Sequence, residues 1–165
     1  MMVRIAGMKH DSIVDGPGLR FAVFAQGCPH DCPGCHNPTA LDPDGGTTVA
    51  VSELIAEMTR NPLTSGLTLT GGEPFFQAAA LTPLARAASE SGLSVWIYSG
   101  YTLEELTRAN NPDWFALLGY TDVLVDGRYV EAQKSLRLKF RGSKNQRILD
   151  APASLAAGEA VVLSI

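Results

Sequence analysis

The sequence predicts an α/β fold: an incomplete, open βα barrel of about six parallel strands, in one domain spanning residues 1–165. Three observations carry this. Short apolar runs alternate with helix-periodic segments, the pattern of βα units on a parallel sheet. The chain has 165 residues, whereas a closed eight-fold barrel normally takes about 250. Turn-forming, chemistry-bearing residues follow one strand after another, and in parallel α/β folds those strand ends share the edge where ligands bind. A flat doubly wound sheet is the alternative.

The elements follow in order. "LRFAVFAQ" (19–26) is a largely apolar strand that stops at Gly27. A cysteine-rich loop comes next. "VSELIAEM" carries Val51, Leu54, Ile55 and Met58 on one helical face. "LTLT" (67–70) is a short strand ended by Gly71 and Gly72. Residues 77–90 are helical in pattern, with Leu81, Leu84, Ala85 and Ala88 on one side. Pro83 strains that helix unless it falls in the first turn. "VWIY" (95–98) is a buried strand. Thr102 with Glu105 three residues on is a capping box. Asn111-Pro112 opens a further helix over "DWFALL". "DVLV" (122–125), "QRIL" (146–149) and "AVVLSI" (160–165) complete the expected strands.

Composition narrows the class. Hydrophobic residues are 45% and charged residues 18%, as in a globular chain. No apolar run is long enough to span a bilayer, and "MMVRIAGMKHDS" lacks the apolar core of a signal peptide. The expected location is the cytoplasm, with no membrane partner. Thiols stay reduced there, which favours metal binding or catalysis over disulfides. A net charge of −4 argues against nucleic acid as a partner. Six of the 13 Lys and Arg nevertheless fall within residues 134–147. That cluster is either a solvated face or an anion or partner site.

All three cysteines lie in "QGCPHDCPGCHNP": Cys28, Cys32 and Cys35. Three readings compete. Structural zinc would need His30 or His36 as a fourth ligand. A reactive cysteine does not explain three. A [4Fe–4S] cluster normally takes four thiolates, so three leave one iron open to a small molecule. Four loops should meet at the strand ends: the cysteine loop, "GGEP" (71–74), "SGYT" (99–102) and "DGR" (126–128). Read singly, Gly71-Gly72 and Asp126-Gly127 are ordinary turn pairs. Trp96 and Trp114 read as core, and Tyr98 and Tyr101 as packing residues.

C-x3-C-x2-C directly after a first strand, with "GGEP" after a second, resembles the radical S-adenosylmethionine (SAM) enzymes. More narrowly, "DGPGLR", "GCPHDCPGCHNP", "GGEP", "YSGYT", "DVLVDGRY" and "FRGSKNQR" occur in an order that resembles the activating proteins of anaerobic ribonucleoside-triphosphate reductases. The resemblance implies an oxidoreductase. It implies a [4Fe–4S] cluster on Cys28, Cys32 and Cys35, with SAM on the open iron. It implies SAM contacts from Gly71, Gly72 and Glu73, and from Ser99, Asp126 and Arg128. His30 and His36 are then loop residues. The implied reaction is reductive cleavage of SAM, whose 5′-deoxyadenosyl radical makes a glycyl radical on the large reductase subunit. A small electron-transfer protein such as flavodoxin or ferredoxin is the implied donor. The alternatives are a radical SAM enzyme with a small-molecule substrate, such as a 7-carboxy-7-deazaguanine synthase, and a zinc module without activity.

Overall fold

A computed structural model describes residues 1–30, 32–35 and 37–164. Among these residues seven strands form one sheet: β1 (Met2–Ser12), β2 (Arg20–Ala25), β3 (Thr47–Ala50), β4 (Gly66–Gly71), β5 (Ser94–Ser99), β6 (Val123–Asp126) and β7 (Arg147–Asp150). Their spatial order is β3-β1-β2-β4-β5-β6-β7. The helices are α1 (Val51–Thr59), α2 (Ala78–Glu90), α3 (Leu103–Arg108), α4 (Pro112–Gly119) and α5 (Ala151–Ala157).

The sheet is mixed, which corrects the expectation of about six parallel strands. β2, β4, β5 and β6 run parallel. β1 is antiparallel to both β2 and β3, and β7 is antiparallel to β6. The reason is connection chemistry. A parallel return needs a crossover of a dozen or more residues, usually a helix. Residues 127–146 carry only the 3-10 turn Glu131–Gln133, so the chain folds back beside β6. Residues 160–165 are not a strand in the described part. Val162 makes one isolated bridge to Leu149, and Ile165 lies outside the described residues.

The parallel strands are the apolar runs, and their alternation splits the sheet into two faces. Phe21, Val23, Leu67, Leu69, Val95, Ile97, Leu124 and Leu149 pack with the buried sides of the helices in one core. α1 contributes Leu54 and Met58, and α2 contributes Leu81, Leu84, Ala85 and Ala88. The expected caps are present. Thr102 and Glu105 form a capping box on α3, and Asn111 caps α4 with Pro112 at its start. Pro83 falls inside α2, not in its first turn.

The opposite face carries Arg20, Phe24, Thr68, Thr70, Trp96 and Tyr98. Trp96, Val123, Val125 and Ile148 form a smaller cluster there, flanked by Phe140. Arg20 is 1% exposed. Its guanidinium donates to Thr68 Oγ1 and to the Pro17, Leu67 and Ser94 carbonyls, at 2.8–3.0 Å. It also sits over the Trp96 ring, 5.6 Å from the centroid. Burial lowers the Arg20 pKa to about 10, so the side chain stays charged at neutral pH. Arg20, at the end of "DGPGLR", is therefore a buried tether. A Cβ on Gly66 or Gly16 would strike the Arg20 side chain.

Candidate functional site

The helix-free face of the sheet and the loops at its strand ends enclose a cavity of about 480 Å³. Small-molecule sites typically span roughly 300–1,000 Å³. The floor is Phe24, Thr70 and Tyr98, all from parallel strands. Cys28, Cys32 and Cys35 form one wall, and Gly71, Gly72, Ser99 and Gly100 line the adjoining edge. Gly127, Tyr129, Phe140 and Arg141 come from the β6–β7 connection. The four loops expected to converge do so.

The cysteine loop closes at its base. Gly27 N–H donates to the Ala40 carbonyl at 2.6 Å, and Cys28 N–H to the Leu41 carbonyl at 3.1 Å. The glycine strip then packs against that base. Glu73 N–H donates to the Gly27 carbonyl at 2.8 Å, and Gly72 N–H to the Ala25 carbonyl at 2.8 Å. Gly71 has φ +94, in the left-handed region that favours glycine, and a Cβ there would lie 2.6 Å from Ala25 N. A Cβ on Gly72 would meet the Gly27 and Ala40 carbonyl oxygens. Both glycines are thus required by close backbone approach. All three cysteines are free thiols of intermediate burial. Burial raises the Cys28 pKa to about 11, so the thiol stays protonated at neutral pH until a metal displaces the proton. Asn37 N–H donates to Cys35 Sγ at 3.4 Å.

Glu73 is fully buried. Its carboxylate faces a ring of donors. Gly100 N–H donates at 2.8 Å, Phe75 N–H at 3.0 Å, and Ser99 Oγ lies 3.0 Å from both oxygens. His30 Nε2 lies 2.7 Å from Oε1. Glu73 therefore joins the loops after β2, β4 and β5 from behind the cavity wall.

Asp126 shares the strand parity of Leu124, so its side chain points toward the helices. It accepts from Leu103 N–H at 2.8 Å, at the start of α3, and from Arg147 at 2.6 and 3.0 Å. Arg128 is exposed and pairs with Glu105 at 3.3 Å. Of the six expected SAM contacts, Gly71, Gly72 and Ser99 line the cavity, while Glu73, Asp126 and Arg128 stand behind or beside it.

Several lining residues were not singled out by sequence reasoning. Asp15 and Phe24 could have been found from strand parity and the "DGPG" turn. Arg141 had a signal in the basic run. It lines the cavity, and its guanidinium donates to the Lys144 and Gln146 carbonyls. Lys134, Arg137, Lys139 and Lys144 are exposed. His30 was read as a loop residue, yet its side chain is buried.

Cys28, Cys32 and Cys35 supply the donor type an iron–sulfur cluster takes. Zinc needs four donors converging on a point. Among the described residues no three His, Cys, Asp or Glu side chains converge so. His30 is engaged by Glu73, and His36 lies outside the described residues. A cube needs its thiolates on separate corners, beside space for a further ligand. Three thiols on one wall of the cavity supply that arrangement.

A family profile described as a 4Fe-4S single cluster domain matches residues 14–149. The anaerobic ribonucleoside-triphosphate reductase-activating protein of Vibrio cholerae serotype O1 is 37% identical over 144 residues, covering 82% of this chain and 90% of that one. The protein of the same name from Salmonella typhi is 34% identical over 142 residues, covering 81% and 90%. Among solved structures, QueE from Escherichia coli aligns with a TM-score of 0.51 at 21% identity, over 62% of this chain and 54% of that one. That likeness is one of fold. The spacing of the thiols, the glycine strip packed on their loop and the near full-length match to these relatives lead to one conclusion: the chain belongs to the anaerobic ribonucleoside-triphosphate reductase-activating proteins.

Proposed function

We propose that the chain is an activating enzyme that cleaves SAM reductively and generates a glycyl radical on the large subunit of an anaerobic ribonucleoside-triphosphate reductase. The observation that carries this is the shared cavity. Among the described residues, three thiols face a glycine strip across space for a small ligand. Cys28, Cys32 and Cys35 would hold a [4Fe–4S] cluster, which when bound would supply the electron for cleavage of the SAM carbon–sulfur bond. The chain's own residues bind, orient and exclude water.

Gly71 and Gly72 let backbone groups approach the SAM amino acid end. Ser99 adds a hydroxyl on the same edge, with Glu73 behind it. Asp126 holds the start of α3 in place, and Arg128 stands beside the cavity, where its fork would have to leave Glu105 to reach a SAM carboxylate. Phe24, Tyr98 and Phe140 give the cavity apolar walls that keep a reactive radical from water. Burial pushes the Tyr98 phenol up, so it stays neutral.

We read the sheet as the incomplete barrel of the radical SAM fold, one domain over residues 1–165, with its open side admitting a peptide loop of the reductase. No described helix is long and apolar enough to cross a membrane. Location in the cytoplasm and a flavodoxin or ferredoxin as donor belong to the same reading. The test is anaerobic reconstitution with iron and sulfide, reduction, addition of SAM, and assay of 5′-deoxyadenosine and methionine. Equal amounts of the two products support the reading. A fully loaded cluster without cleavage sinks it.

A further inference from the structure

We propose, on the reading above that this cavity holds a cluster and SAM, that His30 is a positioning residue: its ring straps the cysteine loop to Glu73, holding the three thiols and the Gly71–Gly72 strip as one unit. His30 lies between Cys28 and Cys32, and nothing in the thiol spacing requires a histidine there. Its side chain is 4% exposed and that of Glu73 is 0% exposed, with Nε2 and Oε1 2.7 Å apart. An ionised carboxylate only accepts, and facing one the Nε2 position is the donor of the pair.

The surroundings are shaped to the ring. A Cβ on Gly100 would collide with it, so the turn after β5 must be glycine at that point. Tyr101 packs edge-on against it, with centroids 4.5 Å apart, and Trp114 buttresses Tyr101 at 4.8 Å. The base of the loop is pinned by Gly27 and Cys28. His30 pins its interior. The strap is separable from the rest of the node. Without His30, Glu73 keeps its bonds from Ser99, Gly100 and Phe75, so the loops after β4 and β5 stay joined. Only the interior of the cysteine loop comes loose, its base still tied by Gly27, Cys28 and Glu73 N–H. Groups that orient metal ligands from the outer shell are worth about 10–100-fold in affinity or activity when removed.

The test compares the full chain with His30→Ala and His30→Gln. Glutamine keeps an N–H that can reach the carboxylate. In the metal-free proteins, amide hydrogen exchange should quicken about tenfold or more at Cys35, inside the loop, in His30→Ala, with Gly27, Cys28, β4 and β5 unchanged. After reconstitution, at matched iron content, SAM affinity is read from the EPR spectrum of the reduced cluster. His30→Ala should bind SAM about 10–100-fold more weakly, and His30→Gln should recover most of the loss. Wild-type exchange in His30→Ala, or unchanged SAM affinity at matched iron, would overturn the strap. So would a glutamine variant as impaired as the alanine one. Failure of the wild-type protein to bind SAM would overturn the proposed function instead. The exchange data, taken without metal or SAM, would still decide whether His30 holds the loop.

Discussion

Gly72→Ala isolates the contact between the glycine strip and the cysteine loop. Gly72 is not in the left-handed region, so an added methyl costs space and not backbone strain. The new Cβ would meet the Gly27 oxygen, the Ala40 oxygen at 2.7 Å and the Gly27 carbonyl carbon at 2.9 Å. All three are backbone atoms, so no side chain can swing away. The strip and the loop base must separate. That opens the bond from Glu73 N–H to Gly27 and strains the one from Gly27 N–H to Ala40, now 2.8 and 2.6 Å. Overpacking costs about 1–3 kcal/mol, and each weakened hydrogen bond about 1 kcal/mol net. The total is about 3–5 kcal/mol, or a fall in Tm of roughly 6–20 °C for a chain of this size. Calorimetry of the metal-free protein reads the first effect. Iron bound per chain after reconstitution reads the second, and it should fall below wild type because the thiol wall has moved. A variant that melts within about 1 °C of wild type and loads iron fully would refute the contact argument.

Three further outcomes follow from the same geometry. Cys32→Ala should reduce iron after reconstitution to background and abolish SAM cleavage, while metal-free stability changes by less than about 1 kcal/mol, checked by urea denaturation. Arg147→Met should cost about 3–5 kcal/mol in the same assay, because it strips the cation from Asp126, which is 1% exposed; Arg128→Met, at an exposed pair, should cost under about 1 kcal/mol. Hydrogen bonding from Arg147 holds the Glu104 pKa below its usual 4.5. The folded state therefore gains stability above that pH and loses it as pH falls below. Tm measured from pH 6 to 3, a range of about three units around the reference carboxylate value, should drop more in wild type than in Glu104→Gln. Parallel curves would refute it.

How far the sequence could be read depended on which residues carried each signal. β2, β4 and β5 are buried almost without interruption and read as short, largely apolar runs, so they were legible. β1 was not, because it buries only Val3, Ile5 and Ser12 and interleaves them with Arg4, Lys9 and His10. β3 is four residues of a "TTVA" run lying before a helix. Strand direction has no local signature, so "QRIL" was legible as a strand while its antiparallel direction as β7 was not. The missing crossover helix in residues 127–146 was the available clue.

The site shows the same division. The convergence of four loops followed from strand order. The thiol wall and the glycine strip followed from punctuation and from the family resemblance. What each carboxylate faces did not follow. Asp126 and Glu73 look like ligand groups in a motif, yet Asp126 caps α3 and Glu73 ties loops together. Parity with Leu124 was the clue for Asp126. His30 depends on Gly100, Tyr101 and Glu73, three positions brought together only by folding.

The central claim is that this cavity makes a radical for delivery to another protein. The most direct measurement is EPR of the reconstituted, reduced protein mixed with SAM and the large reductase subunit. A glycyl radical signal should appear on that subunit, with 5′-deoxyadenosine and methionine formed alongside it. A fully loaded cluster that cleaves SAM yet leaves no glycyl radical on the subunit would contradict it.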